Sequence, residues 1–554
     1  MTLGTFDRDR SLQALTDTTF DLLVVGGGIT GAGVALDAAS RGLRTALVER
    51  DDFASGTSSK SSKLVHGGLR YLQNGDVRLV YEALRERQRL RHNAPHLVRL
   101  LPFLIPLFSK DGLINPKVSR ALGSAMWMYD LTGGARIGKL HKRLKKHKAV
   151  EHMPTIPVER LAGAYLYYDA AADDARLTLT LARTAALEHG AVVVNHTRVV
   201  GLLHDAAGHV RGATVETLQA DGSVATIEIA ARAVVNATGV WSDEVRALDE
   251  GQDPDTIRPA KGIHITVPWD KVQNDIAVVV PVPKDKRSIF VVPWLPKEGG
   301  GYRLTYIGTT DTDYDGPVDD PQCTAADIEY LLSAVNLSVR DPLTEADVVG
   351  TWAGLRPLVK AAASGRTADL SRRHKVLVSD SGMVSVTGGK LTTYREMAED
   401  TVDAVVEHLD DLPRSAKRCR TRRLRLLGAG DVPSDASTHL AGRYGSEARV
   451  LTAMIQADPD LGRPLVEGLP YLRAEALYAV RHEMARTVDD VLARRTRARL
   501  QAREASAAAA RSVATLIAPE LGWSEPEAGR QAAVYTALVD AERSAPGLPI
   551  PELR

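Results

Sequence analysis

Cysteine is almost missing from this chain: Cys323 and Cys419 are the only two among 554 residues. That excludes a disulfide scaffold and a cysteine-rich metal site, and it fits a reducing cytoplasm without requiring one. Net charge is almost missing too, at +1. No global pull toward nucleic acid follows, so a charged partner must meet a local patch. The opening MTLGTFDRDRSLQALTDTTF holds no apolar h-region, which argues against a signal peptide. No run reaches the roughly 18 to 20 apolar residues of a spanning helix. The nearest, LLPFLIPLF at 100–108, is short and broken by Pro102 and Pro106. Any membrane contact is expected to be peripheral. RHEMAR, 481–486, begins like a zinc-protease helix but has Arg486 where the second histidine belongs. No metal site is expected.

What is present is organised. The composition, 44% hydrophobic and 25% charged, is that of a soluble chain long enough for two to four domains. Leu22 to Val25 form an apolar run, predicting a strand buried on both faces. Val34, Ala35, Ala38 and Ala39 follow at helical spacing, and TALVER, 45–50, reads as a second strand. This is a βαβ unit. A further α/β stretch covers 176–239 and includes a hairpin turning at ADG. Residues 255–350 read as β-rich, with proline and glycine punctuation. Residues 375–409 read as strand, turn, strand, glycine turn and helix. From 414 the chain is rich in alanine and arginine. Helical periodicity over 473–495 and 504–518 marks a separate helical domain.

Gly26, Gly28 and Gly31 satisfy G-x-G-x-x-G between the first strand and its helix. The first glycine permits the tight turn, the second lets a pyrophosphate approach the backbone, and the third lets helix pack on strand. The helix N-terminus then favours the phosphate charge. Glu49 ends the next strand eighteen residues on, where an acid can accept from ribose hydroxyls and would repel a 2′-phosphate. Nucleotide binding follows; the choice between NAD and FAD does not.

The stretch VVGGGITGAGVALDAASRGLRTALVERDDFASGTSSKSSKLVHGGLRYL resembles the FAD-binding opening of the flavin-dependent glycerol-3-phosphate dehydrogenases. KGIHITVP, IGTTDTDYDG, WAGLRPL and VTGGKLTTYREMAE are similar to later landmarks of that family, in family order. The resemblance is close over 20–410 and looser beyond. It implies an α/β chain: a Rossmann-like FAD-binding domain, a β-sheet substrate-binding cap of the glycine or D-amino-acid oxidase kind, and a C-terminal α-helical domain. The division it suggests gives 18–100, 165–250 and 345–410 to FAD, 101–164 and 251–344 to the cap, and 411–554 to the helices. It implies FAD contacts from Thr57, Ser58, Ser61 and Ser62, from Ala237, Thr238 and Gly239, and from the helix start at Gly388, Gly389, Lys390 and Leu391.

Arg70, Arg356, Lys390 and Arg372 are cations in or beside these motifs, with Arg373 a neighbour that could stand for Arg372. Several fixed cations suit a small anion, and arginine suits phosphate because its planar fork bonds two oxygens. The resemblance names the anion as sn-glycerol 3-phosphate. The reaction it implies moves hydride from C2 to flavin N5, giving dihydroxyacetone phosphate, while a base takes the hydroxyl proton. His264 and His66 are the candidate bases. His264 is favoured as base or orienter, since His66 can simply brace the flavin loop. Arg356 and Lys390 are expected to stabilise developing negative charge, with Arg70, Arg372 and Tyr71 on the substrate.

The family implies a membrane quinone as electron acceptor; the alternative is an oxidase that uses O2 and makes H2O2. An amino-acid oxidase, or a non-catalytic nucleotide-binding module, explains fewer of the cations. Val118, Ala121, Leu122, Ala125, Met126 and Tyr129 fall on one helical face, and RIGKLHKRLKKHK, 136–148, brings seven Lys/Arg and no acid. Apolar face plus basic run fits peripheral binding to the cytoplasmic, inner face of the cell membrane. No aromatic stacking pattern accompanies the run, so a nucleic-acid partner is not expected. A homodimer stays open.

Overall fold

The computed structural model describes residues 6–68, 76–108, 123, 126–130, 138–219, 222–282, 287–360 and 373–549. Leu22–Val25 is buried at all four positions and lies inside a six-stranded sheet. It pairs in parallel with Thr45–Val48 on one side and Val234–Asn236 on the other. Val192–Val194, Val384–Thr387 and Lys375–Val378 complete the sheet. An inner strand of such a sheet meets helices on both faces, which is why it carries no polar residue. The helices Ile29–Arg41, Asp174–His189 and Tyr394–Glu407 supply that cover, with Val34, Ala38, Leu181, Ala185, Met397 and Val402 in one shared core. The sheet is thus assembled from four distant stretches of chain. The hairpin expected around ADG is present: Val210–Leu218 pairs with Val224–Ala230, with Leu218 opposite Val224.

A second, ten-stranded sheet covers the cavity described below. Arg99–Phe108 pairs with Leu161–Ala171, so LLPFLIPLF is a cap strand. Pro102 and Pro106 share one parity, which puts both missing N–H groups on the same side of the strand. Gly350–Val359, expected with the nucleotide-binding pieces, runs antiparallel to Ile257–Pro268 in this second sheet. Its run TWAGL alternates too weakly to reveal on which sheet it belongs.

The C-terminal helices Thr438–Tyr444, Ala448–Ala457, Arg473–Glu483, Arg503–Leu521 and Glu525–Ser544 surround their own apolar core. The single helix read over 473–495 is broken. Arg473–Glu483 ends at Met484 in the left-handed region (φ 55°), and a separate wide turn follows at Asp490–Arg495. The break delivers a row of arginines to the flavin-binding half. Arg494 and Arg495 reach Asp52 at 2.6 Å, and Arg176 meets Glu483. Asp52, His196 and Asp490 bring ligand atoms within 4.8 Å of one another, as a metal site would. Guanidinium groups fill that role here, with Arg494 Nη2 also 2.5 Å from Asp490.

Glu483 and Arg176 are both fully enclosed. Removing one partner of a buried pair costs about 3–5 kcal/mol, because it strands the other charge. Glu483→Ala is therefore expected to lose that much in urea denaturation. A loss under about 1 kcal/mol would put this contact in the class of exposed pairs.

Candidate active site

A cavity of about 680 Å³ runs between the two sheets, within the size range of cofactor sites. One end is the glycine turn. Gly26 sits at φ 107°, and a Cβ there would lie 2.8 Å from the Ala237 carbonyl; a Cβ on Gly31 would collide with Gly26 O. Side chains are excluded on both sides, so the backbone and the N-terminus of Ile29–Arg41 face the cavity directly. Ala237, Thr238 and Gly239 form the adjoining wall. Glu49 closes the next strand. Its carboxylate accepts from Gly27 N at 2.6 Å and Asp51 N at 2.9 Å. Burial pushes its pKa up to about 7 despite those amides, with Asp51 and Asp52 adding to the rise.

The serine-rich loop lines the cavity, but its hydroxyls are used differently from expectation. Thr57 donates to Leu355 O at 2.5 Å, tying the loop to the cap. Ser58 accepts from Ile29 N at 2.8 Å, capping the helix that follows the glycine turn. Its own O–H remains able to donate to an oxyanion. Ser61 donates to Asp174 at 2.7 Å. Ser62 Oγ lies 2.8 Å from His264 Nε2. These are bonds between elements, which a sequence does not display. Gly388, Gly389, Lys390 and Leu391 line the opposite wall, with both glycines left-handed (φ 75° and 77°). The residues fit FAD. A side-chain-free cradle with a helix N-terminus suits its pyrophosphate, Glu49 suits a ribose, and the 388–391 turn faces the serine loop across a space continuous with both.

His264 is 2% exposed, and its ring stacks on Trp352 at 4.7 Å with 7° between planes. Its Nδ1 is buried and has no hydrogen-bond partner among the described residues. Burial, then Lys63 and Arg356, hold its pKa well below 6.5. The imidazole is neutral at pH 7. Arg356 reaches Asp311 Oδ1, Thr309 Oγ1 and Thr310 O, each at 3.2 Å, and also lines the cavity. His66 lines it too, its amide accepted by Thr392 Oγ1 at 3.1 Å and its ring edge-on to Phe290.

Arg70, Tyr71 and Arg372 lie outside the described residues. Arg373, the alternative to Arg372, is half exposed and reaches Asp76 at 3.0 Å. Two lysines of the serine-rich loop, outside the residues expected at the site, also stand near it. Lys60 lines the cavity, and burial lowers its pKa. Lys63 is 4% exposed; burial lowers its pKa to about 8 against the pull of Asp174. Their signal is present in SSKSSK, 58–63, where each lysine follows a pair of serines in the loop that lines the cavity.

Residues 21–395 match the FAD dependent oxidoreductase family, and 419–528 match the C-terminal domain of alpha-glycerophosphate oxidase. A glycerol-3-phosphate dehydrogenase of Mycobacterium leprae is 42% identical, with 98% of this chain and 91% of that protein aligned. The FAD-complexed structure of glycerol-3-phosphate dehydrogenase from Bacillus halodurans is 31% identical, with a TM-score of 0.75 over 99% of both chains. Glycine oxidase from Geobacillus kaustophilus shares the fold at 20% identity, with a TM-score of 0.51 over 73% of this chain and 98% of its own. With the nucleotide cradle and the sheet-covered cavity in the same chain, these likenesses agree: the protein is an FAD-dependent enzyme and belongs to the glycerol-3-phosphate dehydrogenase and oxidase family.

Proposed function

We propose that the chain oxidises sn-glycerol 3-phosphate to dihydroxyacetone phosphate and delivers the electrons to a membrane quinone. The observation that carries this is His264: a neutral buried base beside two cations, in the cavity that holds the nucleotide cradle. Bound FAD supplies the hydride acceptor. The chain's own part is to orient the alcohol and remove its proton. With Ser62 accepting from Nε2–H, the His264 lone pair is on Nδ1, the nitrogen left for the substrate hydroxyl. Arg356 and Lys390 stabilise the alkoxide that develops as the proton leaves. His66 braces the loop. Arg70 and Arg372 grip the phosphate, and Tyr71 adds a hydroxyl contact.

The direct test is anaerobic bleaching of the flavin by glycerol 3-phosphate without NAD. Glycerol at the same concentration should bleach it far more slowly. Peroxide formed stoichiometrically in air would favour the oxidase reading, which the match to an oxidase C-terminal domain keeps in view. The pH profile tests the base. Only a pH well below 6.5 protonates His264, so the single-turnover reduction rate should hold steady through 6.5 and fall only well beneath it. An acid limb at 6.5 or higher would remove His264 from this role.

The cofactor reading has its own pH dependence. Ribose hydroxyls donate to an ionised carboxylate, while Glu49 holds its proton up to about 7. Below that value FAD binding must release the proton, so affinity should fall with pH, by up to about tenfold per unit. Fluorescence titration of the apoprotein reads this. Glu49→Gln should flatten the profile, and a flat wild-type profile would take Glu49 off the ribose.

For the membrane the docking surface needs revision. Met126 and Tyr129, expected to face lipid, are 0% and 2% exposed inside the cap core, where Tyr129 bonds Asp169. Val118, Ala121, Leu122 and Ala125 lie outside the described residues. The exposed side of this helix instead carries Trp127 and Met128, at 58% and 41%. Trp127 sits edge-on to His141 at 5.0 Å, within the basic run, next to exposed Leu140. Lys139, Lys142, Arg143 and Lys145 are exposed alongside. No helix among the described residues is long and apolar enough to span a membrane. Trp, Met and Leu in the headgroup zone, with basic residues around them, suit a cytoplasm-facing peripheral contact. Replacing Lys142, Arg143, Lys145 and Lys146 by glutamate should release the protein from anionic vesicles and leave dye-linked activity intact. Wild type that ignores such vesicles at low salt would make the patch a solvated face.

A further inference from the structure

The loop that carries Ser62 has no ladder of its own. After the short turn Thr57–Ser59 it runs irregularly to Leu64, so its shape depends on the side chains that grip it. Three of its carbonyls are held by three different parts of the molecule. Tyr306 OH donates to Ser62 O at 2.9 Å, and Trp352 Nε1 donates to Ser61 O at 3.2 Å. Both donors are cap residues packed around His264. The third carbonyl, Ser59 O, takes Lys63 Nζ at 3.2 Å and Arg497 Nη2.

Arg497 comes from the C-terminal region and is 1% exposed. The same Nη2 lies 3.2 Å from Asp174 Oδ1. Asp174, at 0% exposure, also accepts from Ser61 N at 3.0 Å, Ser61 Oγ at 2.7 Å and Lys63 Nζ at 3.2 Å. Lys63 is left-handed (φ 57°), a conformation that costs a non-glycine residue about 1–3 kcal/mol unless its surroundings hold it. Its ammonium lies 4.6 Å from the Trp352 ring, whose plane stacks on His264. A connected set of contacts therefore runs from Arg497 through Ser59, Asp174 and Lys63 to Ser62 and His264.

We propose that Arg497 is a positioning residue for the oxidation: it holds the 59–63 loop in the shape that seats Ser62 on His264 and so fixes which ring nitrogen is free. This gives the C-terminal domain a role in the chemistry although none of its helices lines the cavity. The inference rests on the reading of His264 as the base. The charged and titratable groups facing that imidazole are Lys63 from the loop, Arg356 from Gly350–Val359 and Tyr306 from Tyr302–Gly308. Asp174 and Arg497 stand behind Lys63. Loosening the loop admits water and moves Lys63 away, so the imidazole regains basicity.

The test compares holoenzyme of wild type, Arg497→Ala, Arg497→Lys, Ser62→Ala and the Arg497→Ala/Ser62→Ala double variant. Single-turnover flavin reduction by glycerol 3-phosphate is followed across pH, together with FAD retention on gel filtration. Arg497→Ala should slow reduction by up to about a hundredfold, the scale of an ångström-level misplacement. Its acid limb should move up toward 6.5, with little change in substrate affinity. Arg497→Lys should recover part of the rate, because an ammonium can reach one of the two acceptors. The double variant should match Ser62→Ala to within about twofold, since both changes break one linkage. Multiplied losses with an unmoved acid limb would overturn the proposal and leave Arg497 a stability residue. If Arg497→Ala does not fold, Ser61→Ala cuts the same linkage at Asp174. An unshifted limb there overturns the proposal equally. His264→Gln separates the two readings. An acid limb that survives it removes the base, and the comparison of single and double variants still decides whether Arg497 acts through Ser62.

Discussion

Asp52, Asp174 and Glu483 are each 0% exposed, and a buried carboxylate needs a cation within reach. Losing that cation costs several kcal/mol, so the chain cannot place these acids without also placing Arg495, Arg497 and Arg176 against them. That requirement joins the halves of the molecule. The helical region has its own apolar core and reads as an independent domain, yet its arginines end on the flavin-binding segment. Their partners lie directly behind the serine loop. The apolar cores give each layer its stability, and the buried ion pairs fix how the layers meet.

The same economy of charge governs the cavity. Lys60, Arg356 and Lys390 line a space fit for a cofactor and an anionic substrate, and the buried Lys63 acts on His264 from outside that lining. Positive charge there favours phosphate and a developing alkoxide, and it also disfavours an imidazolium. On the proposed reading of His264 as the base, one field serves both ends of the reaction, because the base must be neutral before it can accept a proton. Glu49 shows the opposite case. Burial and two neighbouring aspartates raise its pKa to about 7, so its proton is held more firmly than an ordinary carboxylic acid holds one.

Much of this was legible from local pattern. The glycine turn, the flanking strands and the helix after 503 each announce themselves within about twenty residues, where period and turn chemistry are set by neighbours in sequence. What stays hidden has a common physical cause. Thr57, Ser58, Ser61 and Ser62 all line the cavity, as an FAD-contacting loop would. Each hydroxyl also bonds a partner from another element, 29 to 298 positions away, which local pattern does not display. Met126 and Tyr129 do lie on an apolar face, but periodicity records only that a face is apolar, not whether protein or lipid covers it. Gly350–Val359 joins the ten-stranded sheet and not the nucleotide-binding one, because sequence order does not show which partner a strand takes. Arg497 carries no local signature. Its meaning arises only where Asp174 is packed.

The six-stranded sheet sets a timetable for the newborn chain. Val384–Thr387 pairs with Val234–Asn236, which in turn pairs with Leu22–Val25, so some 360 residues separate the first strand from the strand that completes its side of the layer. At about 5–20 residues per second on the ribosome, that interval is roughly 20 to 70 s. Throughout it the glycine turn can form, but the 388–391 wall opposite it has not yet been made, and the arginines behind the loop come later still. A flavin meeting the partial chain would find half a cradle. Loading of the cofactor therefore belongs after synthesis. Until then the unpaired edges of Leu22–Val25 and its neighbours are open to other chains.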